Sequence, residues 1–139
     1  MLKKIRWTTL LVLLSSLVLA ACGGGKAQAA STHLAVQLTE FAFQPSQFTV
    51  PAGKEITLDL SNNGSVEHNF IIMKLGTQAS PPFDAADEAN VYWEVALPPG
   101  QSTSTTFTAP SEPGDYQVVC KTPGHLEAGM VAKLTVVSP

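Results

Sequence analysis

Short runs of alternating apolar and polar residues, each closed by a cluster of turn formers, constrain this chain more than any other feature. Leu34, Val36 and Leu38 alternate with Ala35, Gln37 and Thr39, and the same period of two returns at Ile56, Leu58 and Leu60. Successive side chains of a strand point to opposite faces, so each run reads as a half-buried strand. Breakers stand between the runs: "PAGKE" at 51–55, "SNNGS" at 61–65, "LPPGQS" at 97–102 and "APSEPGD" at 109–115. Turn signals at this spacing, with Val and Thr abundant and no long pattern of helical period, predict an all-β fold, an antiparallel β-sandwich. Residues 74–90 fall outside the scheme, and within them "FDAADEAN" predicts a short helix capped by Asp84.

The first 21 residues read as an export signal rather than as part of the fold. Lys3, Lys4 and Arg6 form a cationic start, and Thr8 to Ala20 form an apolar run too short to span a membrane as a helix. The run ends in "LAAC", Leu19 to Cys22, which resembles the lipobox of bacterial lipoproteins, where cleavage exposes the cysteine and lipid is attached to it. The plainer alternative is an ordinary small-residue cleavage site nearby. Residues 22–32 then form a lipidated cysteine and a flexible Gly/Ala-rich tether, and residues 33–139 the folded domain. The expected location is outside the cytoplasm, on a membrane surface facing the periplasm or the exterior.

Removing the leader takes three of the eight Lys and Arg and none of the eleven Asp and Glu, leaving a mature net charge near −6. That balance argues against nucleic acid as a partner. About a hundred residues remain, enough for one core and too few for a second domain with chemistry of its own.

The cysteine count sharpens the question. The chain has two cysteines, and if Cys22 carries lipid, Cys120 has no disulfide partner in an oxidising compartment. A buried thiol acting as a small hydrophobe is one reading, and a metal ligand is the other. Cys120 opens "CKTPGHLEAGM", residues 120–130, where a cysteine, a histidine and a methionine fall five residues apart. In "GDYQVVC", Tyr116, Val118 and Cys120 share one parity, so a strand that buries the first two aims the thiol inward at its end. Pro123 and Gly124 turn the chain so that His125 points back, and Gly129 allows a second bend before Met130, after which "KLTVV" resumes a strand.

Only two other histidines exist, and His33 at the end of the tether reads as exposed and inert. His68 opens the apolar run "HNFIIM" directly after a turn, which suits a rim residue or a further ligand. Two imidazoles, one thiolate and one thioether discriminate among metals. Structural zinc takes more thiolates or a two-cysteine, two-histidine set, and the oxygen-seeking ions are excluded. A plane of two histidines and a cysteine with a weak axial methionine is the copper electron-transfer arrangement.

These residues carry a close family resemblance. From about Leu34 to Val137 the chain resembles a cupredoxin, with "HNF" in place of the first ligand segment, "LPPGQSTSTTFTAP" before the last hairpin and "GDYQVVCKTPGHLEAGM" as the ligand loop. The four residues between Cys120 and His125 resemble the azurin spacing, and the four between His125 and Met130 the plastocyanin spacing. On a membrane-tethered domain, that combination is most similar to the auracyanins. The resemblance implies a Greek-key sandwich of about eight strands and one type 1 copper, with His68, Cys120 and His125 equatorial and Met130 axial. It implies a one-electron carrier rather than an enzyme, acting as a monomer between redox proteins such as cytochromes, oxidases or reaction-centre components. It also implies that Asn69 ties the two ligand segments together, and that electrons leave through the ring edge of His125. Around that portal, Pro123, Leu126 and Ala128 are the expected docking surface, and Glu67, Glu127, Asp84, Asp87 and Glu88 its acidic rim.

Two departures from the family pattern stand out. Lys121 follows the cysteine where these proteins often carry a small hydroxyl residue, and the hydroxyl comes one place later, at Thr122. Glu67 precedes His68 where azurins have glycine, so a backbone carbonyl as fifth ligand is not expected. Among the alternatives, a dinuclear copper site needs a second loop cysteine, and a multicopper oxidase or nitrite reductase needs more domains and more histidines. A copper carrier or storage lipoprotein and a purely adhesive sandwich stay open at this level.

Overall fold

The alternation at the start of the domain becomes β1 (His33–Thr39), in which Leu34, Val36 and Leu38 are buried and the residues between them face outward. This is a computed structural model, and it describes residues 28–139. The expected leader and Cys22 lie outside the described residues.

Eight further strands follow: β2 (Ala42–Gln44), β3 (Gln47–Pro51), β4 (Glu55–Asn62), β5 (His68–Met73), β6 (Val91–Leu97), β7 (Ser102–Thr108), β8 (Gly114–Val119) and β9 (Val131–Val137). They form a four-stranded sheet in the order β2-β1-β4-β7 and a five-stranded sheet in the order β3-β9-β8-β5-β6. The all-β sandwich is therefore as expected, with nine strands because a short hairpin strand, β2, pairs with β1. Two pairs depart from a purely antiparallel pattern. β1 runs parallel to β4 and β3 parallel to β9, because the chain changes sheets between β2 and β3 and then returns.

Between the sheets, Leu38, Phe48, Ile56, Leu58, Phe70, Val118 and Leu134 are fully or almost fully buried. Each such side chain contributes roughly 1.5–3 kcal/mol by leaving water. Phe70 is the centre of an aromatic cluster, with its ring centroid 5.7 Å from those of both Phe43 and Phe48. At the start of β8, the Tyr116 hydroxyl donates to the carbonyl of Glu112 at 2.7 Å and pins the corner that leads into the strand.

All six residues of β5 are buried, which a strand with one solvated face does not show. The segment 74–90 is the cause. Its residues Ala79 and Phe83 pack with Ile71, Met73, Val119 and Leu126 in a second cluster on the outer face of the larger sheet. The Ala79 N–H donates to Gln117 Oε1 at 2.7 Å, and the Lys74 N–H donates to the Asn90 carbonyl at 2.8 Å, closing the segment at its base. Within it lies α1 (Ala85–Glu88), capped by Asp84 as the sequence predicts, with Asp87 returning a bond to the Asp84 N–H.

Candidate metal centre

The donor residues reach one end of the sandwich from two directions. His68 begins β5, at the close of a loop held by the buried side chain of Asn62. Its Nδ2 donates to the carbonyls of Val66 and Leu97, each at 2.8 Å, and its Oδ1 accepts from the Gly64 N–H at 2.9 Å. Cys120 follows the last residue of β8, and its shared parity with Tyr116 and Val118 carries the thiol into the core. The loop from 121 to 130 bonds mainly to itself. The N–H of His125 donates to the Thr122 carbonyl at 3.0 Å, and that of Met130 donates to the His125 carbonyl at 2.9 Å. Gly124 and Gly129 make these bends at φ 86° and 87°, where a Cβ would be strained.

The result is three buried donors around one point. Cys120 Sγ lies 3.9 Å from His68 Nδ1 and 3.7 Å from His125 Nδ1, and the ligand atoms of the three residues all lie within 4.8 Å of one another. For metal–sulfur and metal–nitrogen bonds of about 2.3 and 2.0 Å, a trigonal arrangement separates sulfur from nitrogen by about 3.7 Å. The spacing therefore fits one ion between them. Met130, fully buried, closes the loop, its N–H bonded to the His125 carbonyl. One thiolate among two imidazoles, with a buried methionine ending the same loop, suits copper better than zinc.

The surroundings prepare the donors. Burial, helped by the neighbouring His125, pushes the pKa of His68 down despite the opposing charge of Glu40. The neutral imidazole is the form that ligates. The Asn69 N–H donates to Cys120 Sγ at 3.4 Å, while Thr122 Oγ1 bonds to the Glu67 carbonyl at 2.7 Å and to Asn69 Oδ1 at 3.2 Å. Thr122, one residue later than the family pattern has it, thus joins the two ligand segments. The departure at Lys121 has its own use: Nζ binds Glu94 at 2.8 Å and Glu88 at 3.2 Å, tying the loop to β6 and α1. Burial works against its charge, but the hydrogen bonds to Glu94 and Glu88 prevail and its pKa is raised.

One expected surface residue is not on the surface. Leu126 is 6% exposed and packs with Ile71, Met73, Ala79 and Val119. The cause is the 74–90 segment, which gives it an apolar surface to turn into. Pro123 and Ala128 are exposed as expected, whereas Asp84 and Asp87 are engaged in the helix cap and Glu88 in the ion pair with Lys121. His33 is exposed and paired with Asp59 at 2.6 Å, away from the donors. Two residues of the β1–β2 turn, Glu40 and Phe41, stand at the donor end without any sequence signal beyond that turn. Phe41, half exposed and held at φ 70°, sets its ring edge-on to His125 at 5.1 Å between centroids.

The profile of the copper-binding proteins of the plastocyanin/azurin family matches residues 30–137. The chain belongs to that family. As a cupredoxin it is a blue-copper electron carrier, not an enzyme. Auracyanin-A of Chloroflexus aurantiacus is 34% identical over 147 residues, covering 87% of this chain and 90% of its own length. The copper-resistant cuproprotein CopI of Rubrivivax gelatinosus is 32% identical over 124 residues, covering 81% of this chain and 70% of its own length. The dithionite-reduced auracyanin of the photosynthetic bacterium Roseiflexus castenholzii superposes with a TM-score of 0.65 at 34% identity, over 78% of this cupredoxin and 99% of that chain.

Proposed function

We propose that this cupredoxin is a lipid-anchored carrier that passes single electrons between respiratory or photosynthetic redox proteins outside the cytoplasm. His68, Cys120 and His125 would hold one type 1 copper, with the Met130 thioether as a weaker fourth donor. The observation that carries the assignment is the pair of Nδ1 atoms at 3.9 and 3.7 Å from one buried thiol. Copper bound there supplies one-electron cycling between Cu(I) and Cu(II). The protein's part is to keep the donors in place through the change: Asn69 and Thr122 join the two ligand segments, the self-bonded loop fixes His125, and the core excludes water from the sulfur. Electrons leave by the His125 edge. There the exposed Phe41, Pro123, Gly124 and Ala128 make a small apolar surface suited to brief encounters with a redox partner.

Residues 1–21 serve as a lipoprotein signal, residues 22–32 as the lipidated tether and residues 33–139 as the working domain, which acts as a monomer. The sequence "LAAC" supports this anchor. More than one acyl chain on Cys22 gives firm attachment, and Cys22→Ser should leave the copper site intact while abolishing membrane partition of the mature protein.

The deciding experiment is the visible and EPR spectrum of the copper-loaded domain. An intense charge-transfer band, bleached by a mild reductant and lost in Cys120→Ser, is the expected result. A colourless wild-type protein with bound Cu(II) would refute the site. The likeness to a copper-resistance protein favours a second reading, copper carriage or storage. Fast release of the ion to a chelator would select that reading, and slow release selects electron transfer.

A further inference from the structure

Behind His68, on the side away from Cys120, lies a polar contact that the copper ligands do not explain. Nε2 of His68 is buried and has no hydrogen-bond partner, which is costly for an imidazole nitrogen in a protein interior. The carboxylate of Glu40 stands beside it, with Oε1 4.0 Å away, about 1 Å beyond hydrogen-bond range. Glu40 does not hang free in solvent. Its Oε1 accepts from the Ser65 N–H at 2.5 Å and from the Ser65 hydroxyl at 2.9 Å, so the loop that precedes His68 also aims the carboxylate. These bonds, the backbone one first, lower the Glu40 pKa to about 2, and the group is an anion at any working pH.

The chain between them is shaped for the approach. A Cβ on Gly64 would stand 2.5 Å from His68 Nε2 and 2.7 and 2.9 Å from the two Glu40 oxygens. Any larger residue at 64 would push the imidazole or the carboxylate out of its present place. Asn62 holds Gly64 there through its N–H. On the other strand of the approach, Glu40 is delivered by the β1–β2 turn, whose next residue, Phe41, takes the left-handed conformation. A bulky residue in that conformation is rare and marks a turn under constraint.

We infer that Glu40 is a positioning residue for the His68 ligand, its carboxylate charge facing Nε2–H across 4.0 Å and holding the proton on that nitrogen. This rests on the copper reading above and deepens it. A proton kept on Nε2 leaves the lone pair of Nδ1 free on the side of Cys120, so the carboxylate selects the ligating tautomer. Its negative charge also makes the imidazole a stronger donor and favours Cu(II) over Cu(I). The carboxylate stands by Nε2, on the side of the ring away from Cys120, placed where it acts on the balance of oxidation states rather than on partner docking.

The test compares wild type, Glu40→Gln and Glu40→Asp. Gln keeps an oxygen for Ser65 and removes the charge, whereas Asp keeps the charge. In the copper-loaded proteins the visible band should persist in all three. Glu40→Gln should shift the ratio of Cu(II) to Cu(I) affinity about tenfold toward Cu(I), a rise of about 59 mV in potential for a one-electron couple. Glu40→Asp should recover part of that shift. Nitrogen NMR of the metal-free domain supplies a second reading: His68 should be a single Nε2–H tautomer in wild type and mixed in Glu40→Gln. An unmoved potential with the band intact, or an unchanged tautomer, overturns the role of Glu40 and leaves the copper site standing. A wild type without the band overturns the copper site instead, and the tautomer measurement still decides on Glu40.

Discussion

The main-chain N–H of Asn69 donates to Sγ of Cys120 at 3.4 Å, so the residue next to one donor caps the sulfur of another that lies 51 positions away. The same residue's Oδ1 takes the Thr122 hydroxyl at 3.2 Å. Asn69→Ala keeps the first bond and loses the second. The expected outcome is a persistent visible band with weaker retention of copper, by about tenfold in affinity, and a melting temperature lowered by the worth of about one hydrogen bond, ~1 kcal/mol. Chelator challenge followed by absorbance checks it, and an unchanged release rate would show that the side chain ties nothing.

Met130 is tested by potential rather than by binding. An axial thioether contributes little to holding the ion, and a harder oxygen donor stabilises the oxidised state. Met130→Gln should lower the potential and Met130→Leu should raise it, with copper retained in both. Equal potentials across the three proteins would remove Met130 from the axial position.

The parts of this molecule that were legible in the sequence are those governed by local rules. Period two placed Leu34, Val36 and Leu38 inside, parity carried Cys120 inward behind Tyr116 and Val118, and a capping residue at Asp84 marked α1. The donor loop was readable because its residues are close in the chain and rare in the composition. What escaped depends on segments that meet only in the fold. Leu126 looked like a surface residue because nothing in "GHLEAG" shows that residues 74–90 cover the outer face of β5 and draw it inward. Glu40 and Phe41 sit in a strand turn with no motif, and only the pairing of β1 with β4 brings that turn to the loop before His68.

Away from the metal, Asp115 joins β8 to β9 through a bond from Thr135 Oγ1 at 2.7 Å and an ion pair with Lys133 at 3.4 Å. The Thr135 hydroxyl chiefly, and then the Lys133 charge, hold its pKa below the ordinary carboxylate value. A carboxylate with a depressed folded pKa contributes stability that is present above about pH 4 and lost as pH falls through the lower folded value. Asp115→Asn should therefore melt below wild type at pH 7, and the gap should close in strong acid. A gap that stays constant from pH 7 to about pH 2 would assign the effect to packing instead of charge.

The exit for electrons is tested by two residues that differ in burial. Leu126→Asp would bury a carboxylate among Ile71, Met73, Ala79 and Val119, costing about 3 kcal/mol or more, so a slow mutant at this site would report instability rather than docking. Phe41 is the informative position, because its ring is half exposed and meets His125 edge-on at 5.1 Å. Its φ of 70° suits asparagine better than phenylalanine. In Phe41→Asn, relief of roughly 1–3 kcal/mol of backbone strain offsets the lost ring contact of roughly 0.5–1.5 kcal/mol, so the melting temperature should hold or rise. The visible band should stay in place, and stopped-flow exchange with a competent redox partner should slow several-fold, because an apolar contact over the His125 edge has been exchanged for a hydrated amide. If that rate matches wild type while the band and the melting temperature are intact, electrons leave by a route that does not pass beneath Phe41.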